Sequence, residues 1–244
     1  MEKMMHLAAQ YLAAAGISFV EKKADDSHTN LGWSIKKQQL ETHPLSANGD
    51  VLALNYTTFS LEWISPKNNA SFALDGKTHQ QVLEWLTNSA DAFLGKKYAY
   101  DFHYDLPYSI DDSFIFKLNA SKLKELADLR TLTQSSLEKT LKETGLESSI
   151  RIWPHHFDSG AYASLTDDVA VGFGLAVPDT MINDHYFYIS GYKGHAGLDT
   201  SKFDSLSLGE WKNDGFKGAV LPATKIKEEQ AIQFFTEAIN TYKK

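Results

Sequence analysis

The stretch VLALNYTTFSLEWISPKNNASFAL, residues 51–74, alternates apolar and polar side chains and is broken by short turn clusters. A period of two is typical of strands, here at 51–56, 60–64 and 71–74. Strands joined by connections this short pair as antiparallel neighbours. Residues 33–37 and 40–42 show the same period, so the sequence predicts an antiparallel meander.

Helical signals lie on both sides of this meander. Thr78 and Gln81 form a capping-box pattern, and Gly95 is placed to end the helix that they begin. Apolar residues at helical spacing predict three more helices, over residues 1–16, 121–143 and 224–242.

The second half repeats the order of strands followed by a helix. Further strands are predicted over residues 149–153, 159–165, 169–177 and 185–190, followed by a glycine-rich irregular segment over 191–222. The pattern predicts an α+β fold, with antiparallel sheet segments in two pseudo-repeated halves (strands then helix), flanked by about four helices. We expect 1–244 to be a single compact unit, its halves 31–95 and 149–244 joined by a helical segment, 119–145.

Composition narrows the classes of partner. The chain has 31 acidic and 24 basic side chains and a net charge of −7, which disfavours a nucleic-acid backbone or an anionic membrane as partner. It has no cysteine, so any metal needs His, Asp or Glu ligands. No segment reaches the roughly 18 apolar residues of a membrane span, and residues 1–16 lack the apolar core of a secretory signal. We therefore expect a soluble, cytoplasmic protein, and its oligomeric state stays open.

The run Trp153-Pro154-His155-His156-Phe157-Asp158 concentrates titratable and aromatic side chains after an apolar lead-in. Polar groups in an apolar context are costly to bury unless they are paired, liganded or used. If the run continues as a strand, its two imidazoles lie on opposite faces, and His156 and Asp158 share one face. Asp158 then either orients His156 as a base or joins it in binding a metal. A bulge at Pro154 would put both histidines on one side, and two hydrogen-bonded packing histidines are the structural alternative.

Residues 169–177 contribute a second clue. One face of this predicted strand is bulky, whereas the other carries Ala170, Gly172, Gly174 and Ala176. Glycine in a strand marks close approach of a ligand or of another backbone. The bare face either forms the floor of a pocket or packs tightly against a helix.

Histidine placement is the third clue. His185 and Tyr186 follow the glycine strand closely, so hairpin pairing would bring them near the histidine motif. The ligand-binding candidates are therefore Trp153, His155, His156, Asp158, Gly172, Gly174, His185 and Tyr186. A divalent metal such as zinc or iron, if bound, would use His156, Asp158 and His185.

Two functional hypotheses follow. The first is a small-molecule or metal site, of unspecified chemistry, around His155-His156 and Asp158. The second is a non-enzymatic interaction protein with structural histidines, which binds its partner through an exposed aromatic patch. No serine-hydrolase elbow, phosphate-binding loop or kinase signature is present, so the sequence leaves the question of enzymatic activity open.

Three segments resemble an uncharacterised bacterial family that carries a domain-of-unknown-function label. They are Leu40-Glu41-Thr42-His43-Pro44-Leu45, the Trp-Pro-His-His-Phe-Asp-type motif at 153–158, and Trp-x-x-x-Gly-Phe-x-Gly-Ala-Val-Leu at 211–221. The resemblance spans residues 31–222 and implies a bacterial protein of that family. It implies no activity and no cofactor.

Overall fold

The computed structural model describes residues 1–106 and 108–244 of the chain and has an α+β fold. The chain forms two compact units. The first unit contains Met1–Thr131 and Ile152–His155, and the second contains Leu132–Arg151 and His156–Lys244.

The helices are α1 (Glu2–Phe19), α2 (His79–Leu94), α3 (Ala120–Thr144) and α4 (Glu228–Tyr242). The strands β1 to β5 are Gly32–Ser34, Gln39–Glu41, Val51–Asn55, Ser60–Ile64 and Asn69–Ala73. The strands β6 to β12 are Arg151–Trp153, Asp158–Ser164, Val169–Ala176, Tyr186–Lys193, Ala196–Gly197, Glu210–Lys212 and Gly218–Pro222.

The first unit contains the predicted meander, a five-stranded antiparallel sheet in the order β1-β2-β3-β4-β5. One row of paired residues across this sheet is apolar throughout: Trp33, Leu40, Leu54, Leu61 and Phe72. The side chain of Trp63 on β4 is fully buried and donates from Nε1 to Ser89 Oγ on α2 at 2.7 Å. One face of the sheet therefore belongs to the core.

The local helix signals have the expected effect in α2. Thr78 Oγ1 accepts from the backbone N–H of Gln81, and Gln81 Oε1 accepts from that of Thr78, so the capping box is complete. Gly95 ends the helix in the left-handed conformation, at φ 61°. The first helix differs from the amphipathic expectation, because residues 5–16 of α1 are buried on every side.

The second unit is built on a seven-stranded sheet in the order β11-β12-β9-β8-β7-β6, with β10 paired to β9. The bulky face of β8 packs against α4, where the rings of Phe173 and Phe235 lie 5.4 Å apart. The segment 191–222, expected to be irregular, contains β10, β11 and β12. The apolar–polar alternation covers only a few residues there and glycine is frequent, so these strands form through pairing and not from a local pattern: β10 and β12 pair with β9, and β11 pairs with β12.

Candidate functional site

The histidine motif is a turn and not the continuous strand that its alternation suggested. Residues 154–157 connect β6 to β7, and Phe157 has a positive φ of 60°. Pro154 and Phe157 are buried, whereas His155 and His156 are exposed. The two buried residues anchor the turn, and the imidazoles lie at its surface.

Two side chains of α1 hold the turn at its first residue. His6 Nε2 and Gln10 Nε2 both donate to the carbonyl oxygen of Pro154, each at 2.7 Å. Burial lowers the pKa of His6 to about 4, with a smaller lowering by the charge of Arg130. His6 is therefore a neutral imidazole at neutral pH, and the contact with Pro154 is a hydrogen bond between uncharged groups.

Trp153 and His155 belong to an aromatic group of the first unit. The ring of His155 lies 6.0 Å from that of Trp153 and 5.9 Å from that of Tyr104. Tyr104 donates its hydroxyl to Gln10 Oε1 at 3.2 Å, which ties this group to α1. Residues 98–106 form no strand, and within them Tyr98 is buried and Tyr100 and Tyr104 are half-buried.

Asp158 is the first residue of β7 in the second unit and forms a hydrogen-bonded pair with a tyrosine. Tyr188 on β9 donates its hydroxyl to Asp158 Oδ2 at 2.9 Å. Asp158 Oδ1 is buried and has no hydrogen-bond partner among the described residues. Burial and the carboxylate raise the pKa of Tyr188 well above its usual range, so the tyrosine remains a donor.

Glycines make room for this pair on the sheet. Gly160, Gly174 and Tyr188 lie opposite one another on β7, β8 and β9. A Cβ on Gly160 would lie 2.9 Å from the hydroxyl of Tyr188, and one on Gly174 would lie 1.8 Å from the carbonyl oxygen of Ser159. Side chains at these two positions would clash, so the glycines allow Tyr188 to reach across β8 to Asp158.

Gly172 lies further along the same bare face of β8, between two tyrosine rings. A Cβ there would lie 3.5 Å from Tyr192 and 3.7 Å from Tyr162, which is ordinary contact. The two rings are 6.2 Å apart, and Tyr162 is 58% exposed. The bare face thus carries tyrosines from its neighbouring strands, while α4 packs on the bulky face.

A second tyrosine and carboxylate lie beside the first pair. Tyr186 donates its hydroxyl to Asp179 Oδ2 at 2.6 Å, and Asp179 Oδ1 accepts the backbone N–H groups of Met181 and Ile182. Burial raises the pKa of Tyr186. Both oxygens of Asp179 are therefore occupied, so this carboxylate stabilises the loop before β9. Asp158 differs from it, because one of its buried oxygens has no donor in the described part of the chain.

The remaining histidine candidates lie on the segments that connect the strands. His156 is on the exposed turn, and His185 is half-buried just before β9. Within residues 1–106 and 108–244, no group of three His, Asp or Glu side chains is arranged to hold a metal ion. The arrangement therefore gives no support to a metal site at His156, Asp158 and His185.

The structure thus brings Asp158, Gly174 and Tyr186 into one region and adds residues outside the sequence-derived candidate set. The additions are Tyr162, Tyr188, Tyr192, Gly160 and Asp179. The signal for them was the coincidence of glycines on two strands with tyrosines spaced two apart on a third, at Tyr186 and Tyr188.

Comparison with models of protein families, with curated proteins and with solved structures gives no match for the chain. The family resemblance of the three segments therefore stays a prediction. Among the described helices, none is both long and apolar enough to cross a membrane.

Proposed function

We propose that the second unit binds a small organic amine at Asp158, on the tyrosine-bearing face of its sheet. One observation carries the proposal: Tyr188 fixes Asp158 Oδ2, while the buried Asp158 Oδ1 has no donor within residues 1–106 and 108–244. A buried acceptor left without a partner costs about 1–3 kcal/mol. A ligand N–H at this oxygen would remove that cost.

The charge of the site favours a cation as the donor. Hydrogen bonds from an ammonium group to a carboxylate are about twice as strong as bonds between neutral groups. Tyr188 stays protonated and satisfies the other oxygen, so the carboxylate is held in one orientation before the ligand arrives. Such preorganisation lowers the entropic cost of binding.

The rest of the ligand would contact Tyr162 and Tyr192. Asp158 and Tyr162 are four residues apart on β7, which is roughly 13 Å along a strand. Tyrosine faces bind apolar groups and also attract cations. The ligand class that fits is therefore an amine whose apolar body extends from the carboxylate toward the exposed tyrosine.

The same contacts favour binding over proton-transfer chemistry by the tyrosines. Burial raises the pKa of both Tyr186 and Tyr188, so neither hydroxyl is a base at neutral pH. The interaction-protein hypothesis stays a prediction, and the exposed ring of Tyr162 is a feature that favours it.

Thermal unfolding of the purified protein tests the proposal. The probes are tyramine and phenylbutylamine, each compared with an alcohol of the same shape. We expect the amines to raise the Tm and the alcohols to have little effect, because only a cation gains a charge-assisted bond to Asp158. At a ligand concentration of 100 times Kd, the expected stabilisation is about 2.7 kcal/mol.

Asp158→Asn should abolish the effect of the amines, because it removes the charge and keeps the shape. Asp168→Asn is the matched control, since Asp168 is an exposed carboxylate of the same unit that pairs with Lys193 at 3.4 Å. Equal stabilisation by amine and alcohol, or an unchanged amine effect in Asp158→Asn, would contradict the proposal.

A further inference from the structure

The first unit has a groove over the polar face of its five-stranded sheet. The groove has a volume of about 610 Å³, within the range of about 300–1,000 Å³ for small-molecule sites. Eight of its eleven lining residues carry a polar side chain: Lys37, Gln39, Asn55, Thr57, Thr58, Glu62, Asn69 and Ser71. The other three are Trp63, Ile64 and Ala70.

Pairing across the sheet explains why these side chains share one face. Gln39, Asn55 and Ser60 are directly opposite one another on β2, β3 and β4, and Glu62 is opposite Ser71 in a neighbouring row. Successive residues of a strand alternate between faces. The groove therefore lies on the side of the sheet opposite the buried row that contains Leu54.

The carboxylate of Glu62 is held in place in the groove by hydrogen bonds to one of its oxygens. Glu62 Oε1 accepts from Ser60 Oγ at 2.9 Å and from Thr58 Oγ1 at 3.3 Å. Among the described residues, no hydrogen bond engages the other oxygen of this carboxylate. Glu62 Oε2 is therefore an oriented acceptor.

The donors of the groove are held by the backbone. Asn55 Oδ1 accepts the N–H groups of Thr57 and Thr58 at 2.8 and 3.1 Å, and Asn69 Oδ1 accepts that of Ser65 at 3.1 Å. Each of these two amides also carries an Nδ2 donor group. Within the described part of the chain, no hydrogen bond uses these Nδ2 donors.

We propose that this groove is a second binding site, for a neutral polyhydroxylated ligand of the mono- or disaccharide class. A sugar hydroxyl both donates and accepts, so adjacent hydroxyls match a site that alternates amide donors with a carboxylate acceptor. The volume fits one or two sugar rings. The site uses no residue of the amine site, so either proposal can fail without the other.

Backbone amide NMR of the isotope-labelled full-length chain tests the inference. The probes are maltose, cellobiose and diacetylchitobiose, with cyclohexanol as the hydroxyl-poor control. We expect at least one sugar, and not cyclohexanol, to shift resonances of residues 37–39, 55–62 and 69–71 in a saturable way. Absence of such shifts with all three sugars would overturn the inference, as would shifts confined to other residues.

Glu62→Gln identifies the acceptor. It keeps the oxygen that Ser60 and Thr58 contact and replaces the other oxygen by a donor, so we expect sugar affinity to fall roughly tenfold or more. Glu84→Gln is the control, since Glu84 is an exposed carboxylate on α2 of the same unit. An unchanged amide spectrum outside the groove shows that Glu62→Gln is folded. Equal sugar affinity in both variants would refute the role of Glu62.

Discussion

The substitution His6→Gln should remove a defined part of the acid sensitivity of this protein. His6 is 4% exposed and donates from Nε2 to the carbonyl oxygen of Pro154 at 2.7 Å. Glutamine keeps a donor at a similar position but has no proton to gain between pH 4 and pH 7. The variant therefore separates the titration of the imidazole from its hydrogen bond.

The magnitude follows from the pKa. Burial lowers the pKa of His6 from 6.5 to about 4. Each tenfold change in the protonation equilibrium corresponds to a free energy of about 1.4 kcal/mol. Between these values the unfolded chain binds a proton at this position and the folded chain does not. The free energy of unfolding must then fall as the pH falls, by about 3 kcal/mol in total from this one residue.

The assay is equilibrium urea unfolding followed by tryptophan fluorescence, at several pH values from 7.5 to 4.5, for the parent and His6→Gln. The difference at pH 7.5 gives the cost of the substitution itself, because neither state is protonated there. We expect the parent to lose stability relative to the variant as the pH falls through this window. A difference between the two proteins that is constant with pH would refute the reasoning, as would a parent that gains stability relative to the variant.

Three further predictions concern stability and use the same unfolding assay. Gly174→Ala should lower the free energy of unfolding by more than about 2 kcal/mol, because the new Cβ would lie 1.8 Å from a carbonyl oxygen of the neighbouring strand. Gly172→Ala is the control: its Cβ would have contacts of 3.5 Å or more, so stability should change by less than about 1 kcal/mol. Similar costs for the two substitutions would contradict the close approach of the strands at Gly174. Thr78→Ala should cost about 1 kcal/mol by removing the cap of α2, and Thr78→Ser should restore most of it. Tyr188→Phe should cost about 1–3 kcal/mol, because it leaves Asp158 Oδ2 without the tyrosine donor; an unchanged stability would contradict a stabilising role of this hydrogen bond.

The elements that the sequence predicted well are those with local causes. The capping box at Thr78 and the glycine at 95 act within one helical turn, so α2 has the expected start and end. The meander follows from alternation and short connections, and β4 has the bounds expected, Ser60–Ile64. The prediction of an irregular segment over residues 191–222 was wrong, because the strands there form by pairing with a partner strand and have no clear local pattern.

For the candidate site, the sequence identified the region but not the contacts. Asp158 was named because it follows the paired histidines, Gly174 because it is a glycine within a strand, and Tyr186 because it follows the glycine strand closely. The turn at 154–157 was missed because its positive φ falls on Phe157, a residue type that gives no signal for that conformation.

The sequence by itself determined the α+β class, the ends of α2 and the alternation of faces, since these depend on neighbours along the chain. Only the tertiary structure decided that Tyr188 reaches Asp158 across Gly174, and that His6 and Gln10 hold Pro154. The period of two in the sequence determines which side chains share a face of the sheet. The register between strands determines which of these side chains are in contact. Register is set by packing against the rest of the unit, over separations of 30 to 148 residues for the Tyr188–Asp158 and His6–Pro154 contacts.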